Sequence, residues 1–463
     1  MNSNSKLTQN FMRISGKIGS ERHLVAVRDS FISMMPVTMA GSIAVLLNVF
    51  FRDIPGNLGW AGFVEAMQPL ININGYVYFG TIGIMALVFS FAIGYHLSKT
   101  YKVNPLAGGI ISFASFVATM PQMFTVTSSL ADLDGSIIEA IKNIGLTVVD
   151  VDGVMHLEAS GWGAIGLGYA GATGLFTALI IGFISTLTYA GLANRNIIIK
   201  LPDTVPPAVN KAFASIIPGT IAIYVSALVA YLAFVLSGQP LNDLISTYIQ
   251  QPLMGLSQGL GSVIILTFLV QLFWFFGLHG HNVLAPILDG IYLPALNENT
   301  AVYEATRDVT QLPWLWTRGS FDAYCQMGGS GITLGLIIAI FIFAKRDDFK
   351  TIAKLSAPMG LFNINEPIIF GMPIVLNPLF VIPWLIIPPI CATIAYLATA
   401  TGLIPPVFLA VPWITPPGLY AYLATGGSWM AALVSLFNLF VAFLIWLPFV
   451  LSANKVTLED QDV

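Results

Sequence analysis

The chain has 463 residues, of which 56% are hydrophobic and only 9% are Asp, Glu, Lys or Arg, with a formal net charge of −4. Soluble globular proteins carry roughly a quarter charged residues, so this composition excludes a water-soluble enzyme of several domains. It indicates an all-α membrane protein with many crossings. A spanning helix needs about 20 apolar residues, which leaves room for roughly ten crossings with their loops.

The first thirty residues carry five basic side chains but no apolar core of the length that a signal peptide needs. The run Phe31–Phe51 is therefore interpreted as a retained spanning helix. Further apolar stretches follow at about 76–97, 105–124, 161–192, 216–237, 261–278, 328–344, 374–400 and 429–451.

The loops between these stretches differ in charge. Basic residues occupy the amino terminus and the loops at 99–102, 195–211 and 345–354, whereas the loop at about 128–160 is acidic. Basic loops stay on the cytoplasmic side, so we expect the acidic loop outside and both termini in the cytoplasm. A cysteine placed at Phe349 should then react with an impermeant thiol reagent from the inside only.

Residues 241–260 are too polar to span a membrane and are predicted to be an amphipathic linker at the interface. They divide the chain into an amino-terminal half, 1–240, and a carboxy-terminal half, 261–463. The stretch Pro367–Asn454 has no charged residue but many prolines and glycines. Broken helices and re-entrant hairpins lie at membrane depth only where they line a cavity or are buried in protein, so we expect a binding site in this half.

Three motifs in the carboxy-terminal half could contact a ligand. The run 328–331, GGSG, either presents backbone amides to a ligand or permits close helix packing. His279 lies between Gly277 and Gly280, which favours a ligand role, whereas His281 is as easily a solvated interfacial residue. The HxH spacing has no fitting acidic or Cys partner, so no metal is expected.

Glu366 is the most informative single residue, because a carboxylate between apolar runs is costly and indicates a functional site. The alternative is a structural carboxylate paired with a helix N-terminus or an Arg. Asn363 and Asn365 beside it form a polar cluster suited to hydroxyl groups. Trp413 is either an aromatic platform for a sugar ring or a residue of the interfacial belt, to which Trp314 and Trp316 are assigned.

Four motifs follow one another along the chain: RNIIIKLPDTVPPAVNKAFASIIPG at 195–219, WFFGLHGHN at 274–282, GGSGITLGLI at 328–337 and LFNINEPIIFGMPIVLNPLF at 361–380. With these motifs the chain resembles enzyme IIC, the membrane subunit of the bacterial phosphotransferase system, in its lactose/cellobiose family. The resemblance runs over nearly the whole chain and is greatest to the cellobiose and diacetylchitobiose members.

This resemblance implies about ten crossings with re-entrant hairpins, a homodimer through the amino-terminal half and a sugar site in the carboxy-terminal half. The family's histidine and glutamate correspond to His279 and Glu366, Asn282 and Asn365 lie within the matching motifs, and Trp413 is the candidate platform. The family pattern varies at His281, which is therefore not assigned to the site.

The implied function is a permease for a β-linked disaccharide, cellobiose or diacetylchitobiose, coupled to phosphorylation of its 6-hydroxyl. Glu366 would accept or orient the hydroxyl proton and His279 would hold the hydroxyl. Lactose members often continue into a fused IIB domain and none follows Val463, so we expect the phosphocysteine donor on a separate IIB protein, supplied by IIA and the phosphocarrier protein.

No nucleotide-binding loop is present in the sequence, and we expect no cofactor and no nucleic-acid partner. A proton-coupled secondary transporter with Glu366 as proton carrier is the alternative. It is less favoured because the 88 positions from 367 to 454 offer no second carboxylate or Lys as a relay.

Overall fold

The computed structural model describes residues 21–454 except positions 132, 152, 203, 373 and 376. Both chain termini, which the charge pattern predicts to be cytoplasmic, lie outside these residues. The described part is mainly helical, in agreement with the predicted class. Its eighteen labelled helices and three strands follow in chain order.

The amino-terminal helices are α1 (Arg22–Asn48), α2 (Ala61–Phe79), α3 (Met85–Thr100), α4 (Pro105–Ala118), α5 (Gly135–Asn143), α6 (Leu175–Asn194) and α7 (Pro207–Ser237). The middle helices are α8 (Leu241–Ser257), α9 (Leu260–Phe275), α10 (Gly280–Ile287), α11 (Leu293–Thr306) and α12 (Arg318–Cys325). The last six are α13 (Thr333–Phe343), α14 (Asp347–Leu361), α15 (Glu366–Gly371), α16 (Val381–Ala400), α17 (Leu419–Ala424) and α18 (Trp429–Ala453).

Within the described residues, seven helical segments are long and apolar enough to cross a membrane, or up to eight if one bent pair is a single span. The expected number of about ten crossings is not confirmed. The stretch at 105–124 is helical only as α4, which has 14 residues and falls short of a full span. Sequence hydropathy cannot separate such short buried helices from full crossings.

The predicted linker at 241–260 contains α8, which continues into α9 with a bend of 74°. Gly259 has an extended backbone between the two helices, so the helical hydrogen bonds are interrupted there. One face of α8 is buried, including Gln250 and Met254. The segment is therefore a broken span or a re-entrant element that packs against protein.

The acidic loop folds into a small antiparallel sheet with strand order β1–β3–β2, made of β1 (Met123–Ser129), β2 (Thr147–Val151) and β3 (Val154–Trp162). Met123 pairs with Trp162 and Thr147 pairs with Glu158. Alternating apolar and polar residues in these strands favour a sheet with one solvated face. The sequence analysis treated this region as a loop only.

Two large hydrophobic clusters organise the helices. One is drawn from residues between 263 and 453, and the other from residues between 27 and 181. A small third cluster joins Val45 of α1 and Val49, the residue after α1, to Tyr303 and Phe408. The carboxy-terminal elements thus pack around a core of their own, with α1 as a neighbour.

The segment 345–354, expected to be a loop, is helical from Asp347 onward as the start of α14, and its Phe349 is only 6% exposed. The Arg346 guanidinium lies over the Phe349 ring at 4.3 Å from the centroid. The position chosen from sequence for thiol labelling was therefore wrong, because a cysteine there would be covered. Sequence alone could not show that Phe349 is buried, because one Phe among charged residues forms no repeating apolar pattern.

Candidate functional site

A cavity of about 530 Å³ brings the predicted ligand-binding residues together. Its size lies within the range of ordinary ligand pockets, roughly 300–1,000 Å³. The walls come from short helices and turns of the carboxy-terminal half and from one face of α1. The residues predicted from sequence that line it are His279, Asn282, Asn363, Asn365, Glu366 and Trp413.

His279 lies in the turn between α9 and α10. Gly277 has a φ of +79°, and a Cβ at Gly280 would overlap the carbonyl oxygen of Val270. The backbone can therefore reverse tightly here only with glycine at both positions. His279 is the N-cap of α10, and its Nδ1 accepts a hydrogen bond of 3.3 Å from the Asn282 amide. With Nδ1 as acceptor, the proton of the neutral imidazole is placed on Nε2, which is left to donate.

His281 lines the same cavity, although the family resemblance did not assign it to the site. Its Nδ1 accepts a hydrogen bond of 3.4 Å from Trp274 Nε1, and the rings of His279 and His281 are 6.0 Å apart. Its Nε2 is buried and has no hydrogen-bond partner within the described residues. His281 is thus a cavity residue rather than a freely solvated interfacial one.

Glu366 begins α15 and directs an exposed side chain into the cavity. A carboxylate is electrostatically favoured in the first turn of a helix. No hydrogen bond or Arg partner holds this carboxylate among the described residues, and it interacts electrostatically with His279. Glu366 is therefore available to a ligand beside the imidazole.

The two asparagines beside Glu366 hold the surrounding loops together. Asn365 is buried and its Nδ2 donates to the Ser330 carbonyl at 2.7 Å. Asn363 has a φ of +62°, accepts from the Gly328 amide at 2.9 Å and donates to the Trp413 carbonyl at 2.6 Å. Much of their hydrogen-bonding capacity therefore goes to shaping the cavity.

The GGSG run packs closely instead of offering its first two amides to a ligand. The Gly328 amide donates to Asn363, and the Gly329 amide donates to the Gln326 carbonyl at 2.8 Å. Gly329 has a φ of +90°, and a Cβ there would overlap the Asn365 side chain. Of the two interpretations left open by the sequence, close packing describes these two glycines.

Trp413 is 48% exposed and lines the cavity, which is the placement that a platform residue requires. The two tryptophans assigned to the interfacial belt were placed wrongly. Trp314 is 7% exposed and its Nε1 donates to Glu298 at 2.8 Å, and Trp316 is fully buried. The Trp314 indole thus has a hydrogen-bond partner inside the protein, whereas Trp316 Nε1 has none among the described residues. Trp316 is held instead by ring contacts with Phe321, Tyr324 and Tyr396.

A charged cluster in the cavity wall was missed by the sequence analysis. Arg318, at the start of α12, donates from Nε to Asp289 at 2.9 Å and from Nη1 to both oxygens of Asp322 at 2.9 Å. The Tyr420 hydroxyl donates to Asp322 at 3.4 Å. The i, i+4 spacing of Arg318 and Asp322 beside the apolar run at 328–344 was the available signal.

This cluster also bears on the secondary-transport alternative. The stretch 367–454 indeed contains no carboxylate, but Asp289 and Asp322 bring two more carboxylates to the cavity from earlier in the chain. Both are paired with Arg318, so neither is an unpaired proton carrier like Glu366.

The apolar part of the cavity wall includes a face of α1, which was not expected from the division into halves. The side chains on this face recur at helical spacing. From sequence alone, such a stripe is indistinguishable from one that contacts lipid or the protein core. They are Phe31, Ile32, Met35, Thr38 and Met39.

No group of three or more His, Cys, Asp or Glu side chains that could hold a metal ion occurs in the described part of the chain. Cys325 and Cys391 are both free and buried. The chemistry available in the cavity is therefore that of a carboxylate, two imidazoles, a guanidinium with its carboxylates, and amides.

Comparisons with known proteins agree with the resemblance. Residues 28–388 match the family model described as Phosphotransferase system, EIIC. The chain is 40% identical to the PTS system cellobiose-specific EIIC component of Lactococcus lactis subsp. lactis, with 97% of each chain covered. It is 33% identical to the oligo-beta-mannoside-specific EIIC component of Bacillus subtilis, over 98% of this chain and 95% of that one.

Among solved structures, the chain matches the transporter ChbC, the IIC component from the N,N'-diacetylchitobiose-specific phosphotransferase system. The TM-score is 0.85 at 32% identity, and 99% of each chain is covered. The similarity thus extends over the entire fold, including the elements that form the cavity.

Proposed function

Since this chain belongs to the EIIC family of the phosphotransferase system, we propose that it is the membrane permease subunit for a β-linked disaccharide of the cellobiose or diacetylchitobiose type. The sugar is phosphorylated on its 6-hydroxyl as it crosses, and a separate IIB protein supplies the phosphoryl group. The names of the relatives support this substrate class, since they specify cellobiose, oligo-beta-mannoside and diacetylchitobiose.

The observation that carries the proposal is the meeting of His279 and Glu366 in one cavity with Trp413 in its wall. A sugar offers a ring face to an aromatic side chain and hydroxyls to polar groups. His279 Nε2–H donates to the hydroxyl oxygen and Glu366 accepts the hydroxyl proton. These two side chains, with Asn282, Asn365 and Trp413, form the proposed sugar site.

The chemical step is a transfer of the phosphoryl group from the IIB phosphocysteine to the sugar. The 6-hydroxyl oxygen bonds to phosphorus, the phosphorus–sulfur bond breaks, the thiolate leaves and the hydroxyl proton passes to Glu366. Such transfers depend mainly on positioning and charge stabilisation. A positioned base typically adds about 10²–10⁴-fold to the rate.

EIIC components of this system work with IIB and IIA partners. We place the IIB docking surface at the basic loop 345–354, on the cytoplasmic face of a bacterial inner membrane with both termini inside. Residues 1–240 contain the proposed homodimer contact, α8 links the halves, and residues 261–463 carry most of the sugar site. IIA and the phosphocarrier protein act through IIB.

Uptake by membrane vesicles tests the proposal. Labelled cellobiose and diacetylchitobiose should accumulate as phosphates only when phosphoenolpyruvate and the soluble carriers are supplied. Accumulation of unmodified sugar driven by a proton gradient alone would establish the alternative, a secondary transporter with Glu366 as proton carrier. No uptake of either sugar under both conditions would contradict the substrate class.

A further inference from the structure

Basic side chains from separate segments meet at one end of the amino-terminal half, around Tyr101. The Arg22 guanidinium, at the start of α1, lies over the Tyr101 ring at 4.4 Å from its centroid. Asn194, the last residue of α6, donates from Nδ2 to the Tyr101 carbonyl at 3.2 Å. Lys102 and Arg195 directly follow these two bonded residues along the chain. The start of α1, the turn after α3 and the end of α6 therefore bring three cations to one place.

The start of α7 reaches the same place through a buried tyrosine. Tyr189 of α6 is hydrogen-bonded to the Ser215 hydroxyl at 3.1 Å, and Ser215 donates to the Lys211 carbonyl at 2.9 Å. Tyr189 also hydrogen-bonds the backbone of Asn104, which caps α4. Lys211 is therefore connected, through this tyrosine, to the turn that carries Lys102.

Five exposed cations form this basic patch. They are Arg22, Lys99, Lys102, Arg195 and Lys211. None of them forms an ion pair with a carboxylate in the described part of the chain. Glu21 and Asp29, at the start of α1, bond His23 and Arg28 instead, and Asp203 lies outside the described residues. The preference for basic loops in the cytoplasm explains the side of the membrane on which the cations lie, but not their meeting around one tyrosine.

Exposed apolar side chains adjoin the basic patch on two helices that pack together, α4 and α7. They are Leu106 and Ile110 in the first turns of α4, and Val209 and Phe213 in the first two turns of α7. A spacing of four residues places the members of each pair on one face of their helix. The surface beside the patch is thus apolar and continues along two membrane helices.

We propose that the basic patch and this apolar surface bind an anionic phospholipid such as phosphatidylglycerol. The phosphodiester lies among the cations, which donate charge-assisted hydrogen bonds to its oxygens, and the acyl chains lie along α4 and α7. An acidic soluble protein would match the charge of the patch but would have no part to place against the apolar faces of membrane helices. A lipid matches both surfaces, and this inference does not depend on the proposed sugar transport.

The double variant Lys102→Gln with Arg195→Gln tests the lipid site. Lipid affinities are measured for the purified protein in neutral detergent by native mass spectrometry. Wild-type protein should bind phosphatidylglycerol at least about tenfold more tightly than net-neutral phosphatidylcholine. The double variant should lose about 30-fold in affinity for phosphatidylglycerol, the loss expected for two cations near an anionic headgroup. Glycerol phosphate, which has the phosphate without the chains, should not compete.

The matched control is the double variant Lys345→Gln with Lys354→Gln. It also removes two exposed cations on the side proposed to be cytoplasmic, but in the carboxy-terminal half. It should keep the wild-type affinity for phosphatidylglycerol. None of the four replaced side chains forms an ion pair within the described residues, so both double variants should melt at the wild-type temperature in lipid-free detergent.

Several outcomes would overturn the lipid site. They are equal wild-type affinities for the two lipids, an unchanged affinity in the Lys102→Gln and Arg195→Gln variant, equal losses in both double variants, and competition by glycerol phosphate. If the patch variant keeps its lipid affinity but binds purified IIB less tightly, the patch is a protein-docking surface and the lipid inference is wrong. No sugar is present in these measurements, so each result leaves the proposed transport function to its own test.

Discussion

We assign two tasks to His279, and one substitution can separate them. Its Nδ1 caps α10, and its Nε2–H is the donor assigned to the sugar hydroxyl. Asn is a good N-cap residue, so His279→Asn should keep α10 and change the free energy of unfolding little, within about 1 kcal/mol. Sugar affinity should fall and phosphoenolpyruvate-dependent sugar phosphate should form at least tenfold more slowly.

The comparison for this prediction is His281→Asn, measured in the same assay of affinity and product. His281 is separated from Glu366 by His279, so its replacement should slow phosphorylation less. Equal losses in the two variants, or a loss only in His281→Asn, would mean that the histidine roles are assigned wrongly.

Glu366→Gln tests the proposed base. Gln keeps the size and much of the hydrogen bonding, so sugar binding should weaken by no more than roughly 0.5–3 kcal/mol. Phosphorylation should nearly stop, because Gln cannot accept the proton. Titration of sugar and a single-turnover assay with phosphorylated IIB measure the two effects separately. A wild-type rate combined with collapsed binding would make Glu366 a binding residue only.

The sequence identified those side chains whose surroundings are unusual for a membrane protein. Glu366 is the last charged residue before Lys455, and His279 lies between two glycines, so both stood out. Arg318 and Asp289 did not stand out, because each lies in a mixed segment and their pairing joins positions 29 residues apart. Two residues that pair over such a distance along the chain form no recognisable pattern within a short window of sequence.

At the level of elements, α14 offers a sharper test of membrane orientation than the buried Phe349. Asp347 at its start has a side chain that is 98% exposed, whereas Arg346 bonds Asp348 and thereby lowers the pKa of that carboxyl. Asp347→Cys should react with an impermeant thiol reagent in inside-out vesicles and not in intact cells. The native Cys325 and Cys391 are buried and give little background. Labelling from outside intact cells would reverse the proposed topology.

The sequence predicted the elements best where a long stretch of the chain is continuously apolar. The long spans α16 and α18 coincide with apolar stretches, and the breaks between them follow the prolines and glycines. The bend between α8 and α9, the sheet in the acidic loop and the short α4 were missed. Each depends on tertiary contacts that hold a polar or short segment in place, and composition does not record those contacts.

At the scale of the whole molecule, α7 is the least covered of the candidate spans. Only 17% of its most apolar stretch is buried, against 39% or more in the other six single spans among the described residues. Its exposed face includes Tyr224, Leu228 and Tyr231. Within the amino-terminal half, this helix is the surface to which we assign the proposed homodimer contact.

Single cysteines placed through one turn of α7, at positions 231–234, should test that contact. Mild oxidation in membranes should produce a disulfide-linked dimer at those positions that face the second copy. Cysteine at Ile265, which is similarly exposed on α9, is the control and should stay monomeric. If every position in α7 also stays monomeric on denaturing gels, α7 faces lipid and the dimer contact lies elsewhere.

The charges in the cavity affect what can leave it as well as what can enter. Three carboxylates and one guanidinium line it, a formal charge of −2 with both histidines neutral. A neutral disaccharide is unaffected by this excess, but a phosphate ester carries about −1.5 to −2 near neutral pH. If the proposed function holds, we therefore expect the phosphorylated sugar to be repelled by the carboxylates of the cavity. Product inhibition should accordingly be weak, and release should become faster as the ionic strength falls.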